Sequence, residues 1–531
     1  MRRAAGLLYP LLFAAALVLG IAARSAGQFR VDDFALVLAV VLVAATLVVA
    51  LALGLARALD RSSRAEPLAA ALAMVALAWF FYYAPAQSAV EAVTWRFSRN
   101  YVLVPLGLTA TAILVLWLVR QPRDRLAAVN ALMARFGVLL LAIIALNAFL
   151  GRGRQPRVAQ NSRLARELAR PVGTVGTPPP GRNTPPRDIY LLVLDGHANA
   201  AVLREVLGFD NAPFEDSLRA LGFLVPGHVR SNYTQTVTSI PSLVNAAHVT
   251  SIGRDVGETN TDFSLPRYLV ENNRAARFLK ARGYKYALFP STWWGITQHS
   301  PLADIEFDAR PAFRIADEVR RTELRVAVLR STLLRSTLRR ERADAEFYRR
   351  TFAGLREMPR DPAPTFTFAH VLLPHIPYLF DEGCRALDRP IGAEMEADTP
   401  EQRAAYLRQV RCVDGLVLDL VTTLLRESRT PPVILVVGDH GSRFSDVRYY
   451  ERPDRVSPAF IRERFGALGA FYLPAGGEAA FHEPITLVNV LGNVLRHYFL
   501  ADLPRSPDEL YVSGERPFRF YRVGAGQSAD P

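Results

Sequence analysis

Five long apolar runs crowd the first 151 residues of this 531-residue chain, and nothing comparable occurs after them. They cover residues 4–23, 34–56, 68–86, 101–119 and 136–151. A helix needs roughly 17 to 20 such residues to cross hydrocarbon. The pattern therefore predicts an N-terminal α-helical membrane domain of about five spans over residues 1–151. The fifth run is the shortest because Arg135 interrupts it, and residues 126–134 can extend it at an interface. Arg2, Arg3, Arg57, Arg61, Arg64, Arg120, Arg123, Arg125 and Arg135 fall on one side of the spans, against Arg24, Arg30, Arg96 and Arg99 on the other. Positively charged loops stay cytoplasmic. The N-terminus is thus expected inside and everything after Gly151 outside; the alternative is four spans with a cytoplasmic C-terminal domain.

Charge obeys the same division. The whole chain carries +13, which on its own would suggest nucleic acid or a membrane surface. Up to Arg187 there are 21 Arg and 7 acidic residues, whereas the remainder has 42 basic and 43 acidic residues. The excess belongs to the spans and to a basic, Pro/Gly-rich linker at 152–187, so a membrane-lipid partner and no nucleic acid are expected. The linker reads either as a solvated spacer or as a basic segment, with a short helix over 161–170, lying on anionic headgroups.

From residue 188 to 531 short apolar runs alternate with amphipathic stretches, the signature of βαβ units. Strands are predicted at 188–194, 284–289, 365–372, 432–437 and 470–473, and helices at 265–281, 320–356, 400–427 and 484–498. Near-continuous apolar strands imply burial on both faces, hence a mostly parallel sheet between helices. Ligands in such folds bind beyond the carboxyl ends of the strands. Three strands end in chemistry: Asp195-Gly196-His197, then His370 with LPHIPY and its His375, then Gly438-Asp439-His440-Gly441. Asp and neutral His suit a divalent metal, and two Cys in the whole chain exclude a four-thiolate zinc site. A single Asp at a strand end is ordinarily a cap or turn former; three converging strand ends argue for a site. The run SNYTQTVTSIPSLVN, 231–245, adds hydroxyls before a helix, either an ordinary capped helix or the source of a nucleophile.

Together LLVLDG, SNYTQTVTSIPSLVN, HVLLPHIPY and VVGDHGSRF resemble, in order and spacing, the alkaline phosphatase/sulfatase superfamily. The chain is most similar to its membrane-anchored sulfatase-like members, the phosphoethanolamine transferases and lipoteichoic acid synthases. That resemblance implies an α/β sulfatase-like (alkaline-phosphatase-like) domain over 188–531. It makes Asp195, Asp439 and His440 metal ligands, Thr236 a nucleophile that also touches the metal, and His375 a catalytic substrate-side histidine. The implied cofactor is a divalent metal, zinc or manganese, with calcium or magnesium as alternatives. Ser239 is the competing nucleophile, in a second register of the same motif. Asn232, His370 and Arg443 are further substrate-binding candidates, Arg443 equally readable as a surface residue.

The departures from the family shape the expected reaction. No Cys occupies the nucleophile position, so the formylglycine of most sulfatases cannot form. Asp195 stands where the phosphoethanolamine transferases carry Glu, and no His stands about a dozen residues after His440. The expectation is a metal-dependent enzyme acting on phosphoester headgroups through a phosphothreonine. It would pass the group from a lipid donor to a glycan or lipid acceptor, or to water, at a bacterial inner membrane with the domain on the periplasmic/extracellular side. The alternatives are a sulfuric ester hydrolase and a non-catalytic envelope binding or assembly protein. Cys384 and Cys412 flank an acidic loop in a domain placed outside the cytoplasm, where a disulfide persists; two unpaired thiols are the other reading.

Overall fold

The computed structural model describes residues 2–24, 31–59, 62–93, 100–152, 156–177, 181–183, 185–291, 296–307, 309, 323–332, 341–392 and 398–524. Two compact units emerge, one of Met1–Pro156 with Phe313–Arg339, the other of Arg157–Ala312 with Arg340–Pro531.

The N-terminal part of the first unit comprises α1 (Arg2–Arg24), α2 (Val31–Leu59), α3 (Ala65–Val93), α4 (Asn100–Arg120) and α5 (Arg123–Arg152). Among the described residues, Phe34–Leu59, Ala65–Tyr83, Val102–Arg120 and Arg123–Asn147 are long and apolar enough to cross a membrane, while the apolar part of α1, Leu8–Ala23, is shorter. The short helix is thus the first rather than the fifth. α5 gains its length by running through residues 126–134, the stretch that sequence marks as an interfacial extension. α1 is instead an interior helix, with Ala14, Val18 and Ile21 buried against Val37, Val41 and Phe81. Leu47, Leu51, Leu106, Leu108, Phe136 and Phe149 stay exposed on α2, α4 and α5, as hydrocarbon-facing side chains do. Sequence predicts one helix over 320–356. The structure describes two, Glu323–Ser331 and Glu341–Glu357. Leu324 and Val328 of the former join the core of the first unit.

In the second unit, α6 (Arg163–Leu168) starts at Ser162, whose hydroxyl accepts from Ala165 N. Leu164, Ala165 and Leu168 are buried with Val249, Ile252, Leu265 and Leu269. Farther along, the Arg187 guanidinium donates to the carbonyls of Gly181, Arg182 and Pro431. The basic stretch read as a spacer or a lipid-facing helix is here packed on the domain, because its Leu/Ala stripe finds an apolar partner.

The central sheet has six strands, β1 (Ile189–Leu194), β2 (Lys285–Phe289), β3 (Ile305–Glu306), β4 (Thr365–Val371), β5 (Val433–Gly438) and β6 (Gly469–Tyr472), in spatial order β3-β2-β4-β1-β5-β6. All neighbours are parallel except β5 and β6. Side chains alternate faces along a strand. Ile189, Leu191 and Val193 therefore pack on one face against Val237 and Ile240 of α7 (Thr236–Asn245). Tyr190, Leu192 and Leu194 pack on the other against Val413, Val417 and Leu420 of α8 (Pro400–Glu427). Two further helices are α9 (Pro458–Phe465), beside the sheet's carboxyl end, and α10 (Leu487–Phe499), in the α7-side core.

Candidate active site

Register brings the carboxylates together. β1 pairs with β5 so that Leu194 lies opposite Gly438, and the next residue on each strand, Asp195 and Asp439, emerges side by side at the centre of the sheet. Gly438 and Gly441 flank Asp439 and His440 because there is no room for a side chain. A Cβ at Gly438 would lie 2.2 Å from His197 O, and one at Gly441 would lie 2.0 Å from Glu463 O. α7 then sets Thr236 over the pair. Its Oγ1 is 3.4 Å from Asp195 Oδ2 and 3.2 Å from His440 Nε2.

Asp195, Asp439 and His440 are all buried and present ligand atoms within 4.8 Å of one another. Asp195 Oδ1 and Asp439 Oδ2 accept no hydrogen bond among the described residues. The group facing them is His440 Nε2, at 3.7 and 3.3 Å. His440 Nδ1 is 3.0 Å from Gly441 O, which assigns the proton to Nδ1 and turns the Nε2 lone pair toward the carboxylates. Buried oxygens lacking donors, beside an imidazole lone pair, fit a divalent cation.

The electrostatics agree. Burial would raise the Asp195 carboxyl, but His375, His370 and His440 outweigh it and hold it below the usual range. Burial, and then the neighbouring Asp195 charge, push Asp439 well above that range. Burial and the Arg464 guanidinium push His440 well down, so it stays neutral. Two carboxylates this close cannot both ionise without a positive charge between them.

A cavity of about 400 Å³ opens above these groups, lined at its polar end by Asp195, Thr236, His375, His440 and Arg464. Phe263, Tyr348, Leu372, Leu379 and Tyr450 form its apolar wall. His375 Nδ1 lies 2.8 Å from Ile376 O, so the backbone engages that nitrogen rather than Nε2.

Other sequence candidates are placed elsewhere. Ser239 Oγ donates to Asp439 O at 2.6 Å and so braces Asp439 through its backbone. His370 lies beneath Asp195, with Nδ1 2.7 Å from Thr297 Oγ1 and Nε2 3.4 Å from Asp195 Oδ2. Asn232 uses its side chain on Glu509 O and Val488 N, away from the cavity. Arg443 stacks on the Tyr450 ring at 4.9 Å and is absent from the cavity lining, whereas Arg464 is part of it. Tyr378 is core, packed on Tyr406. Trp293 and Trp294, aromatic residues near a strand end that sequence reads as core or as pocket lining, lie outside the described residues. Cys384 and Cys412 form a disulfide.

Four polar residues that sequence does not single out hold the loops that carry the site residues. Glu463 accepts from Ser442 Oγ, Phe444 N and Ser445 N. Arg464 donates to Thr234 O and Gly441 O. On α8, Asp414 bonds His197 Nε2 at 2.8 Å. Gln409 accepts from Leu379 N and donates to His375 O. The α8 pair carries a faint signal, since Gln409 and Asp414 interrupt an otherwise apolar stripe; Glu463 and Arg464 sit in RERF, which reads as an exposed helix end.

A mostly parallel sheet with a carboxylate, imidazole and hydroxyl cluster past its central strands defines an alkaline-phosphatase-like α/β domain, here preceded in the chain by apolar helices. The chain belongs to the sulfatase family, whose sequence profile matches residues 208–491. Among curated proteins none matches it. It is similar to the integral membrane lipooligosaccharide phosphoethanolamine transferase A of Neisseria meningitidis, at 14% identity over 83% of this chain and 82% of that one, with a TM-score of 0.40. The C-terminal periplasmic domain of EptC from Escherichia coli gives 13%, 65%, 93% and 0.43. The lipoteichoic acid synthase LtaP of Listeria monocytogenes gives 12%, 62%, 78% and 0.37.

Proposed function

We propose that this membrane protein transfers a phosphoryl-type group from a lipid phosphoester headgroup, through a covalent intermediate on Thr236, to a glycan or lipid hydroxyl or to water. We place the domain on the periplasmic side of a bacterial inner membrane. The observation that carries the reading is the position of Thr236: its hydroxyl lies at the cavity floor between Asp195 and His440, while the rival Ser239 is committed to Asp439 O.

Asp195, Asp439, His440 and Thr236 would hold the divalent cation, zinc or manganese in the first instance. Bound there, such a cation lowers the pKa of a ligating hydroxyl and neutralises charge on substrate oxygens. Thr236 Oγ1 forms the new bond to phosphorus as the bond to the leaving alcohol breaks. His375 Nε2 gives the leaving oxygen its proton, and in the second half-reaction takes one from the acceptor hydroxyl. The apolar wall offers a surface for the apolar part of a lipid substrate.

Thr236→Ala in the full-length chain tests this. Turnover should fall at least about 10³-fold, the scale of losing a covalent route, with the melting temperature unchanged, and the wild type should show a mass increment on Thr236 after incubation with phospholipid. Retained turnover refutes the assignment. Release of sulfate in preference to phosphate from aryl esters would move the protein to the sulfuric ester hydrolases.

A further inference from the structure

A groove of about 580 Å³ opens at one end of the helical bundle, far in sequence from the catalytic residues. It is lined by Arg57 and Ala58 at the end of α2, Ser62 and Ser63 in the loop that follows, Glu66 in the first turn of α3, and Arg123 at the start of α5. All of these belong to the first unit, whereas the catalytic cavity is lined by residues of the second. Candidate spans end at Leu59 and begin at Ala65 and Arg123, so the groove lies at the level where hydrocarbon gives way to headgroups.

The walls of the groove are held in place. Asn130 Nδ2 of α5 donates to Pro67 O at 2.8 Å, and Arg64 donates through Nε to Gln121 O at 2.7 Å and through Nη2 to Val119 O. Arg125 is engaged too, with Nη1 3.3 Å from Gln121 Oε1. Arg57 and Arg123 differ. Both are exposed, and among the described residues no hydrogen bond or ion pair engages either guanidinium. The groove thus presents two guanidinium groups against the single Glu66 carboxylate. By sequence, residues 57–66 and 120–125 hold six Arg against three acidic residues.

We propose that this groove binds the headgroup of an anionic phospholipid, with the phosphodiester between Arg57 and Arg123. Two observations choose a lipid of that charge. The positive charge left over after Glu66 is matched by one phosphodiester, and basic pockets between spans at the membrane surface attract such headgroups. Leu55 and Leu51 lie three and seven residues before Ala58, on the same face of α2, and both are exposed. They make an apolar track that leads from the groove down the span, which an acyl chain can follow and a soluble anion has no use for. The lipid here is a ligand of the bundle and not a substrate, so the inference stands apart from the phosphoryl-transfer reading above.

The test uses the full-length protein in neutral detergent micelles, with dioleoylphosphatidylglycerol as probe and bound lipid counted by native mass spectrometry. Wild type should bind it in preference to dioleoylphosphatidylethanolamine, and inorganic phosphate should not displace it. Arg57→Gln or Arg123→Gln should each weaken binding about fivefold, and the double variant about twentyfold to thirtyfold, the scale expected for arginines at an anionic lipid surface. Arg120→Gln is the comparison, because Arg120 is exposed beside the same loop but absent from the groove; it should change affinity by less than about twofold. An equal loss in Arg120→Gln overturns the site in favour of diffuse surface charge, and unchanged affinity in the double variant overturns it outright. Equal binding of phosphatidylethanolamine, or displacement by inorganic phosphate, overturns the choice of an anionic lipid. Should the double variant fail to fold, electron microscopy of wild type in nanodiscs of the same phosphatidylglycerol decides: headgroup density between Arg57 and Arg123 supports the inference, and a groove without it refutes it.

Discussion

Removing the Cys384–Cys412 bridge should cost stability by a calculable amount. The bridge closes a loop across a sequence separation of 28 residues, with Cα atoms 4.9 Å apart. In the chain-entropy model such a loop gives about 3.6 kcal/mol at room temperature. Cys412 is 3% exposed and packs with Val413, Val417 and Phe380, so its replacement by Ala adds a small cavity cost of about 1 kcal/mol or less. The second unit has roughly 350 residues, and at an unfolding entropy of about 2.1 cal/mol/K per residue the expected fall in melting temperature is about 5 to 6 °C. The double variant Cys384→Ala/Cys412→Ala avoids a stray thiol and is compared with wild type by scanning calorimetry in detergent, with and without reductant. Reductant should lower the wild-type midpoint toward that of the variant and leave the variant unmoved. A variant within about 1 °C of oxidised wild type would refute the entropic reasoning, and equal alkylation of native protein with and without reductant would refute the bridge itself. Activity should fall too, since Cys412 lies one turn after Gln409, whose amide holds the His375 carbonyl at 2.9 Å.

Two other perturbations have a defined sign. Burial raises the Glu271 carboxyl from 4.5 to about 6, so between those pH values the native state keeps a proton the unfolded chain has released, and stability falls as pH rises through that window. Glu271→Gln should therefore gain up to about 2 kcal/mol at pH 7 and nothing below about pH 4 in urea titrations; an equal gain at both pH values would contradict the assignment. Gly441→Ala would drive a Cβ into Glu463 O and Gly466 O, at 2.0 and 2.7 Å. It should cost about 1 to 3 kcal/mol and lower metal stoichiometry, and full metal occupancy by elemental analysis would show that the loop yields without moving His440.

Much of the site is legible in sequence because the relevant signals are local. Runs such as YLLVL and VILVV can only be buried parallel strands, and the residues directly after them are then fixed beyond the sheet's carboxyl edge, so Asp195, Asp439 and His440 can be found without a structure. Thr236 against Ser239 is not decidable in sequence. Residues three apart on a helix share a face, and only the packing of α7 shows that the Thr236 hydroxyl meets Asp195 and His440 while that of Ser239 bonds the Asp439 carbonyl. Arg464 is invisible for a different reason. Its partners, Thr234 O and Gly441 O, are backbone atoms from two distant loops, and backbone acceptors leave no residue type to read. The short helix Glu323–Ser331 reads as part of a longer amphipathic helix because its Leu324 and Val328 sit among arginines. Nothing in their neighbourhood of the chain signals that their apolar partners lie in the first unit.

The same contacts explain how the site tolerates two acidic side chains in its core. Adjacent parallel strands run about 4.8 Å apart, so consecutive strand-end residues in register are held close by the backbone ladder, whatever their charges prefer. The repulsion between Asp195 and Asp439 then cannot be relieved by moving the strands apart, and with burial it pushes Asp439 above the usual carboxylate range. Gly196 N and His440 N both donate to Asp439 Oδ1, at 2.9 and 3.0 Å, leaving Oδ2 turned toward His440. α8 ties the loop after Asp195 through Asp414 and His197, and α9 ties the loop after Asp439 through Glu463 and Arg464. Each carboxylate is thus held by a loop that a helix braces from outside the strand ladder. The unfavourable charge pair is concentrated at a place where a bound cation would relieve it.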